Sequence, residues 1–136
     1  MKGSRMEVER AISLAEEAAE KAYAPYSGFR VGAIVVTESG EAHAGCNVEN
    51  ASYGLTVCAE RNAVAAMVSA GEAGAGLRIS YVAVASPDAS PAFPCGACRQ
   101  VLHEFDCAQV FVRDSGGVKG YAFGEVLPNP FGPRDL

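Results

Sequence analysis

Two short segments, Cys58-Ala59-Glu60 and Cys95-Gly96-Ala97-Cys98, constrain the fold of this chain more than anything else in it. Three thiolates fall one short of the closed tetrahedron of a structural zinc site, and three protein ligands leave a fourth position for water, as in a catalytic one. For the three sulfurs to share an ion, two segments well separated in the chain must finish side by side. Glu60, two residues beyond the first cysteine, is then placed to handle the protons of that water. The pattern reads as zinc-assisted hydrolytic chemistry.

Local physics supports the convergence. Alanine-rich spacing from Cys58 to Ala70 (Ala59, Ala63, Ala66, Ala70) predicts a helix that Cys58 opens, and Cys95 to Phe105 predicts a second with Cys95 and Cys98 in its first turn. Residues three apart project from the same side of a helix. Helix N-termini carry a partial positive charge that favours thiolate, and soft thiolates favour zinc among common metals. Two other readings stand beside this one. A lone CxxC also suits a thioredoxin-like redox pair, and a closed structural zinc would take Cys46 or His43 as fourth ligand. The redox reading leaves Cys58 and Glu60 unexplained; the closed site leaves Glu60 without a task.

The remaining sequence limits the setting. The 136 residues suit a single domain, 1–136, with nearly half the residues apolar (49%) and a fifth charged (20%). A net charge of −5 without a basic patch argues against a nucleic-acid duplex as partner. Met1 to Arg10 lacks the apolar core of a signal peptide, and no apolar run approaches a membrane span. Five cysteines fit a closed disulfide framework poorly, so thiols in a reducing cytoplasm are expected.

Periodicity predicts an amphipathic helix over Val8 to Tyr23, ending before Pro25, then a buried strand Arg30 to Thr37. Ser39-Gly40 turns the chain into a second strand, Glu41 to Asn47. Leu77 to Ala85 is a third strand. Gln109 to Arg113 and Val118 to Ala122 are two more, joined too tightly to run parallel. A helical turn at Phe123 to Leu127 precedes a Pro-rich tail. Strands interleaved with helices imply a three-layer α/β/α sandwich around a five-stranded mixed sheet.

The runs Pro25-Tyr26-Ser27-Gly28-Phe29-Arg30-Val31-Gly32-Ala33, Gly45-Cys46-Asn47-Val48-Glu49-Asn50-Ala51-Ser52-Tyr53-Gly54, Cys58-Ala59-Glu60-Arg61 and Pro94-Cys95-Gly96-Ala97-Cys98-Arg99-Gln100 resemble the homotetrameric, small-subunit cytidine deaminases. The likeness extends from the first helix to the C-terminus, including Leu127-Pro128 and Phe131. It implies one zinc per subunit on Cys58, Cys95 and Cys98, with Glu60 as proton shuttle. It implies attack of water on C4 of cytidine or 2′-deoxycytidine, the chemistry of zinc deaminases as a class. It also implies substrate contacts from Phe29 (pyrimidine), Asn47 and Glu49 (ribose hydroxyls), Ala51, and the backbone of Ala59 (base edge). Arg61 and Gln100 match residues that hydrogen-bond the zinc-bound sulfurs. Tyr53 and Phe131 match residues that reach a neighbouring subunit's site.

The resemblance leaves rivals. A deaminase for another aminopyrimidine, such as a blasticidin-type nucleoside, would share the cysteines and glutamate, so discrimination falls on Asn47-Val48-Glu49-Asn50. A zinc-stabilised binding module without turnover is the rival from a different class. Cys46 and Cys107 read as spare or core thiols, His43 and His103 as residues without a catalytic role, and Lys119 as a solvated side chain. The stretch Ser86 to Phe93 departs from many relatives and lies beside the predicted metal site.

Overall fold

The computed structural model describes residues 6–72 and 77–136; residues 1–5 of the charged N-terminal segment lie outside them. Its elements are α1 (Val8–Ala19), β1 (Gly32–Thr37), β2 (Ala42–Cys46), α2 (Ala59–Met67), β3 (Ile79–Ala85), α3 (Gly96–Glu104), β4 (Gln109–Asp114), β5 (Gly117–Ala122) and α4 (Phe123–Val126). The sheet order is β2-β1-β3-β4-β5. Only β3 and β4 run parallel; the other neighbours are antiparallel. The mixed five-stranded sheet and the antiparallel β4–β5 pair agree with the sequence reading.

β1 carries every one of its residues buried, because it lies between two strands and is covered on both faces. Its side chains alternate between two cores. Ala33 and Val35 join residues of α2 and α3 on one face, whereas Ile34 and Val36 meet Ala11, Ile12 and Ala15 of α1 on the other. This alternation produces the three layers, α1 against the sheet and the sheet against α2 and α3.

Two glycines set the helix positions. A Cβ on Gly32 would lie 1.9 Å from the carbonyl oxygen of Ala15, and one on Gly45 would lie 2.4 Å from the backbone nitrogen of Ala63. Only a residue without a side chain lets α1 lie on β1 and α2 on β2 this closely. The Gly45 contact matters for chemistry, since it fixes the helix that Cys58 introduces.

Boundaries differ from expectation where backbone groups find other partners. α1 stops at Ala19 rather than Tyr23. The Tyr23 N–H instead donates to the Asn47 carbonyl at 3.0 Å, and the Tyr23 carbonyl accepts from Glu49 N–H at 2.8 Å. α2 ends at Met67, and Val68–Glu72 continues as a wider turn. Tyr53–Leu55 forms a short 3-10 turn that periodicity does not announce. Among the described residues, no helix is long and apolar enough to cross a membrane.

Candidate active site

Gly32 pairs with Cys46 on one side and Ala85 on the other. The end of the sheet where β1 begins is therefore the end where β2 and β3 finish. The segments before β1 (25–31), after β2 (47–57) and after β3 (86–95) meet there. Ligands of open α/β sheets gather outside the carboxyl ends of strands for this reason. The segment after β2 is held by Val48, which pairs with Tyr23 and with Val57. That pairing carries the chain directly to Cys58.

Cys58 and Cys95 occupy the N-cap positions of α2 and α3, and Cys98 lies in the first turn of α3. The three Sγ atoms all lie within 4.8 Å of one another, with Cys58 and Cys95 3.8 Å apart. Among the described residues no fourth His, Cys, Asp or Glu joins this cluster, so neither Cys46 nor His43 closes it. The distances fit three sulfurs around one ion with a position left open.

Charge makes the same point. Hydrogen bonding from Cys98 pulls Cys58 down to about 5, with help from Arg61. Cys98 is pushed far upward by the proton it shares with Cys58, by burial, and by the charge of Glu60. The first thiolate thus forms readily, and further ionisation is opposed by the charge already present. A divalent cation removes that opposition, which is why this donor set fits zinc.

Glu60 follows Ala59 in the first turn of α2 and is only 3% exposed. Its Oε1 accepts from the Cys98 thiol at 3.7 Å. Burial, then the charge of Cys58, raises its pKa above the ordinary carboxyl range. Arg61 Nη2 donates to Cys58 Sγ at 3.7 Å, while its buried Nε has no partner among the described residues. The bond to Cys58 raises the arginine's own pKa and holds a positive charge against the sulfurs.

The second half of the site is a rim of loops. Glu49 accepts from Tyr26 N–H at 2.9 Å, from Ser27 N–H at 3.1 Å and from the Ser27 hydroxyl. The hydroxyl bond leads in lowering its pKa, so Glu49 stays ionised. Asn47 is buried, its Oδ1 accepting from Val31 N–H at 2.8 Å and its Nδ2 donating to the Phe29 carbonyl at 2.9 Å. By count, one N–H and one lone pair of that amide remain for a ligand. A cavity of about 380 Å³ opens here, lined by Tyr26, Ser27, Glu49, Asn50, Tyr53 and Thr56. A larger one, about 710 Å³, lies at the opposite end of the sheet among Val36, Thr37, Tyr81 and Phe111, away from every chemical group described above.

Phe29, Ala51, Tyr53 and Phe131 are all exposed, Tyr53 at 77% and Phe131 at 60%, whereas Ala59 is fully buried. Tyr53 meets Tyr26 edge-on with ring centroids 6.4 Å apart. Gln100 has a different partner from the one its motif implied. Its Nε2 donates to the Phe131 carbonyl at 2.7 Å, anchoring the C-terminal tail to α3 where a sulfur was expected. Sequence reasoning also passed over Ser27 as the partner of Glu49. Its one signal was its place in the Pro25-Tyr26-Ser27-Gly28-Phe29 run.

Comparison with known proteins decides the family. The family described as the cytidine and deoxycytidylate deaminase zinc-binding region matches residues 6–113. The chain belongs to this deaminase family. It is 39% identical over 134 residues to a cytidine deaminase of Sporosarcina psychrophila, covering 96% of each chain. It is 43% identical over 122 residues to a cytidine deaminase of Mycobacterium tuberculosis, covering 90% of this chain and 87% of that one. The crystal structure of a cytidine deaminase from Burkholderia pseudomallei superimposes with a TM-score of 0.81 at 43% identity, covering 93% of this chain and all of that one. Zinc is the metal of the matched region, and in this deaminase-family chain the three cysteines are the group placed to hold it.

Proposed function

We propose that this protein hydrolyses cytidine and 2′-deoxycytidine to uridine and 2′-deoxyuridine with release of ammonia, a pyrimidine salvage reaction. The observation that carries the reading is the sulfur trio within 4.8 Å with the buried Glu60 carboxylate 3.7 Å from one of its members. Cys58, Cys95 and Cys98 would hold one zinc. When bound, zinc supplies Lewis acidity that makes water a competent nucleophile near neutral pH.

Glu60 accepts one proton from the attacking water and delivers it to N3 of the base. It then takes the remaining proton from the new C4 hydroxyl and delivers it to the departing amine, leaving the carbonyl and ammonia. Its burial keeps bulk water from competing for that proton. Arg61 draws electron density from the sulfurs and offsets their charge. On the nucleoside side, Glu49 and the remaining amide groups of Asn47 take the ribose hydroxyls. Phe29 lies against the pyrimidine, and the Ala59 backbone meets its polar edge. Ala51 is a further substrate contact. Gln100 acts through Phe131, whose carbonyl it holds.

Exposed Tyr53 and Phe131 support a shared site in which each subunit's rim is completed by a neighbour, within a homotetramer. The reading is of one domain acting in the cytoplasm on a small nucleoside, without nucleic acid or membrane.

Loss of cytidine absorbance on incubation with zinc-loaded protein tests the proposal, with cytosine, deoxycytidine and blasticidin S as comparison substrates. Turnover of cytidine and deoxycytidine but not free cytosine is expected. Glu60→Gln should retain its zinc and lose about 10²- to 10⁴-fold in kcat. Substantial residual activity would remove Glu60 from this role, and an inert wild-type protein would leave only a metal-binding module.

A further inference from the structure

The loop between β3 and Cys95 is tied to the nucleoside side of the site through one carboxylate. Asp88 Oδ2 accepts from the backbone N–H of Arg30 at 2.8 Å and from its Nε at 3.0 Å, while Oδ1 accepts from Nη2 at 3.1 Å. This is a forked pair with an additional main-chain bond. The remaining guanidinium nitrogen, Nη1, reaches Glu20 just beyond α1 at 3.2 Å. Asp88 raises the Arg30 pKa and Arg30 lowers that of Asp88 through these bonds, so both stay charged.

Asp88 is itself held. Its N–H donates to Ser86 Oγ at 3.0 Å, and Ser90 Oγ donates to the Arg113 carbonyl at 2.6 Å. The loop then enters Pro94, whose carbonyl accepts from Arg99 Nε at 2.7 Å, immediately before Cys95. A short, pinned path therefore connects Asp88 to a metal-site residue.

On the other side of the pair lies Phe29. Its ring is exposed, so its direction depends on backbone ties more than on packing. Its N–H donates to Ser27 Oγ at 2.9 Å and its carbonyl accepts from Asn47. Both ties come from the sugar-binding side. The third tie, at the next amide, is to Asp88, and it alone among these three refers the Phe29 peptide to the loop that delivers Cys95.

We propose that Asp88 is a positioning residue for nucleoside binding. Through Arg30 it fixes the Phe29 peptide, and with it the pyrimidine platform, relative to the sulfur end of the site. This rests on the cytidine reading above. A half-exposed ion pair adds little to global stability. Its effect lies in pre-organisation, which appears in binding and leaves the chemical step alone.

The test compares zinc-loaded wild type, Asp88→Ala, Asp88→Asn and Arg30→Ala by cytidine kinetics, calorimetric binding of uridine, zinc content and melting temperature. Asp88→Ala should raise both KM for cytidine and Kd for uridine about tenfold, with kcat within about twofold and zinc retained. Asp88→Asn keeps an acceptor for the Arg30 N–H and should recover most of the loss. Arg30→Ala keeps the main-chain bond and should fall between the two. An active wild type with unchanged KM and Kd in Asp88→Ala overturns the inference alone, as does a loss confined to kcat or zinc content. An inactive wild type overturns the cytidine reading and this inference with it.

Discussion

At the sulfur end of the site Cys98 and Glu60 are buried on two helices, whereas Phe29, Tyr53 and Phe131, outside those helices, are exposed. The sulfur end is rigid because the core beneath it is shared with the sheet: Ala59, Ala63 and Met67 of α2 pack with Val35, Val82 and Val84. The loop segments are held instead by polar ties, Glu49 to Ser27, Asn47 to Phe29, Asp88 to Arg30 and Gln100 to Phe131. Chemistry that needs fixed distances is placed where packing supplies them. The loops, by contrast, rest on hydrogen bonds that can be adjusted one at a time.

The contrast is broken most severely at the sulfur end. Cys98→Ala removes the buried member of the trio, and activity should fall to background with zinc no longer retained at one per chain. Added zinc should also cease to raise the melting temperature, as it does for any ligand that binds only the folded state. Full zinc occupancy in this variant would mean that the metal sits elsewhere.

At the rim, losses should be graded and should fall on KM. Glu49→Gln replaces a charged acceptor with an amide whose NH₂ opposes the donors of Tyr26 and Ser27. KM for cytidine should rise roughly 10- to 100-fold with kcat changed much less. A collapse of kcat at constant KM would place Glu49 in the chemical step instead.

The mildest change sharpens the electrostatics. Ser27→Ala deletes the hydroxyl that does most to lower the Glu49 pKa, so a carboxyl titration followed by NMR should shift to higher pH. The sign follows from linkage. A carboxylate with a depressed folded pKa contributes stability above the unfolded value and loses it as pH falls through the folded one. Without Ser27 Oγ the contribution should be smaller, and its loss, which starts at the unfolded value in both proteins, should be complete at a higher pH. An unmoved titration would show that the backbone amides of Tyr26 and Ser27 suffice.

Much of this was legible in the residues. The continuous apolar run of β1 announced a strand covered on both faces, and the Cys-Ala-Glu and CxxC spacings announced two helix starts sharing a metal. A sulfur contact for Arg61 was implied by the family resemblance of the Cys58-Ala59-Glu60-Arg61 run. Less legible were residues whose function depends on a distant partner. Gln100 sits in a metal motif yet serves the tail, and Asn47 spends half its amide on the backbone of Phe29 and Val31. The early end of α1 belongs to the same class, because Tyr23 is claimed by the segment after β2.

By itself the sequence determined the element types, the layered architecture and the chemical identity of the metal end. Helical and strand periodicities are local, and soft ligands at a fixed spacing admit few ions. The tertiary structure alone decided that no fourth protein ligand joins the three sulfurs among the described residues, and that Asp88 meets Arg30 across 58 positions. Such pairings depend on the paths of irregular loops, and those paths are set by the sum of backbone hydrogen bonds across the whole sheet end, which no stretch of sequence specifies.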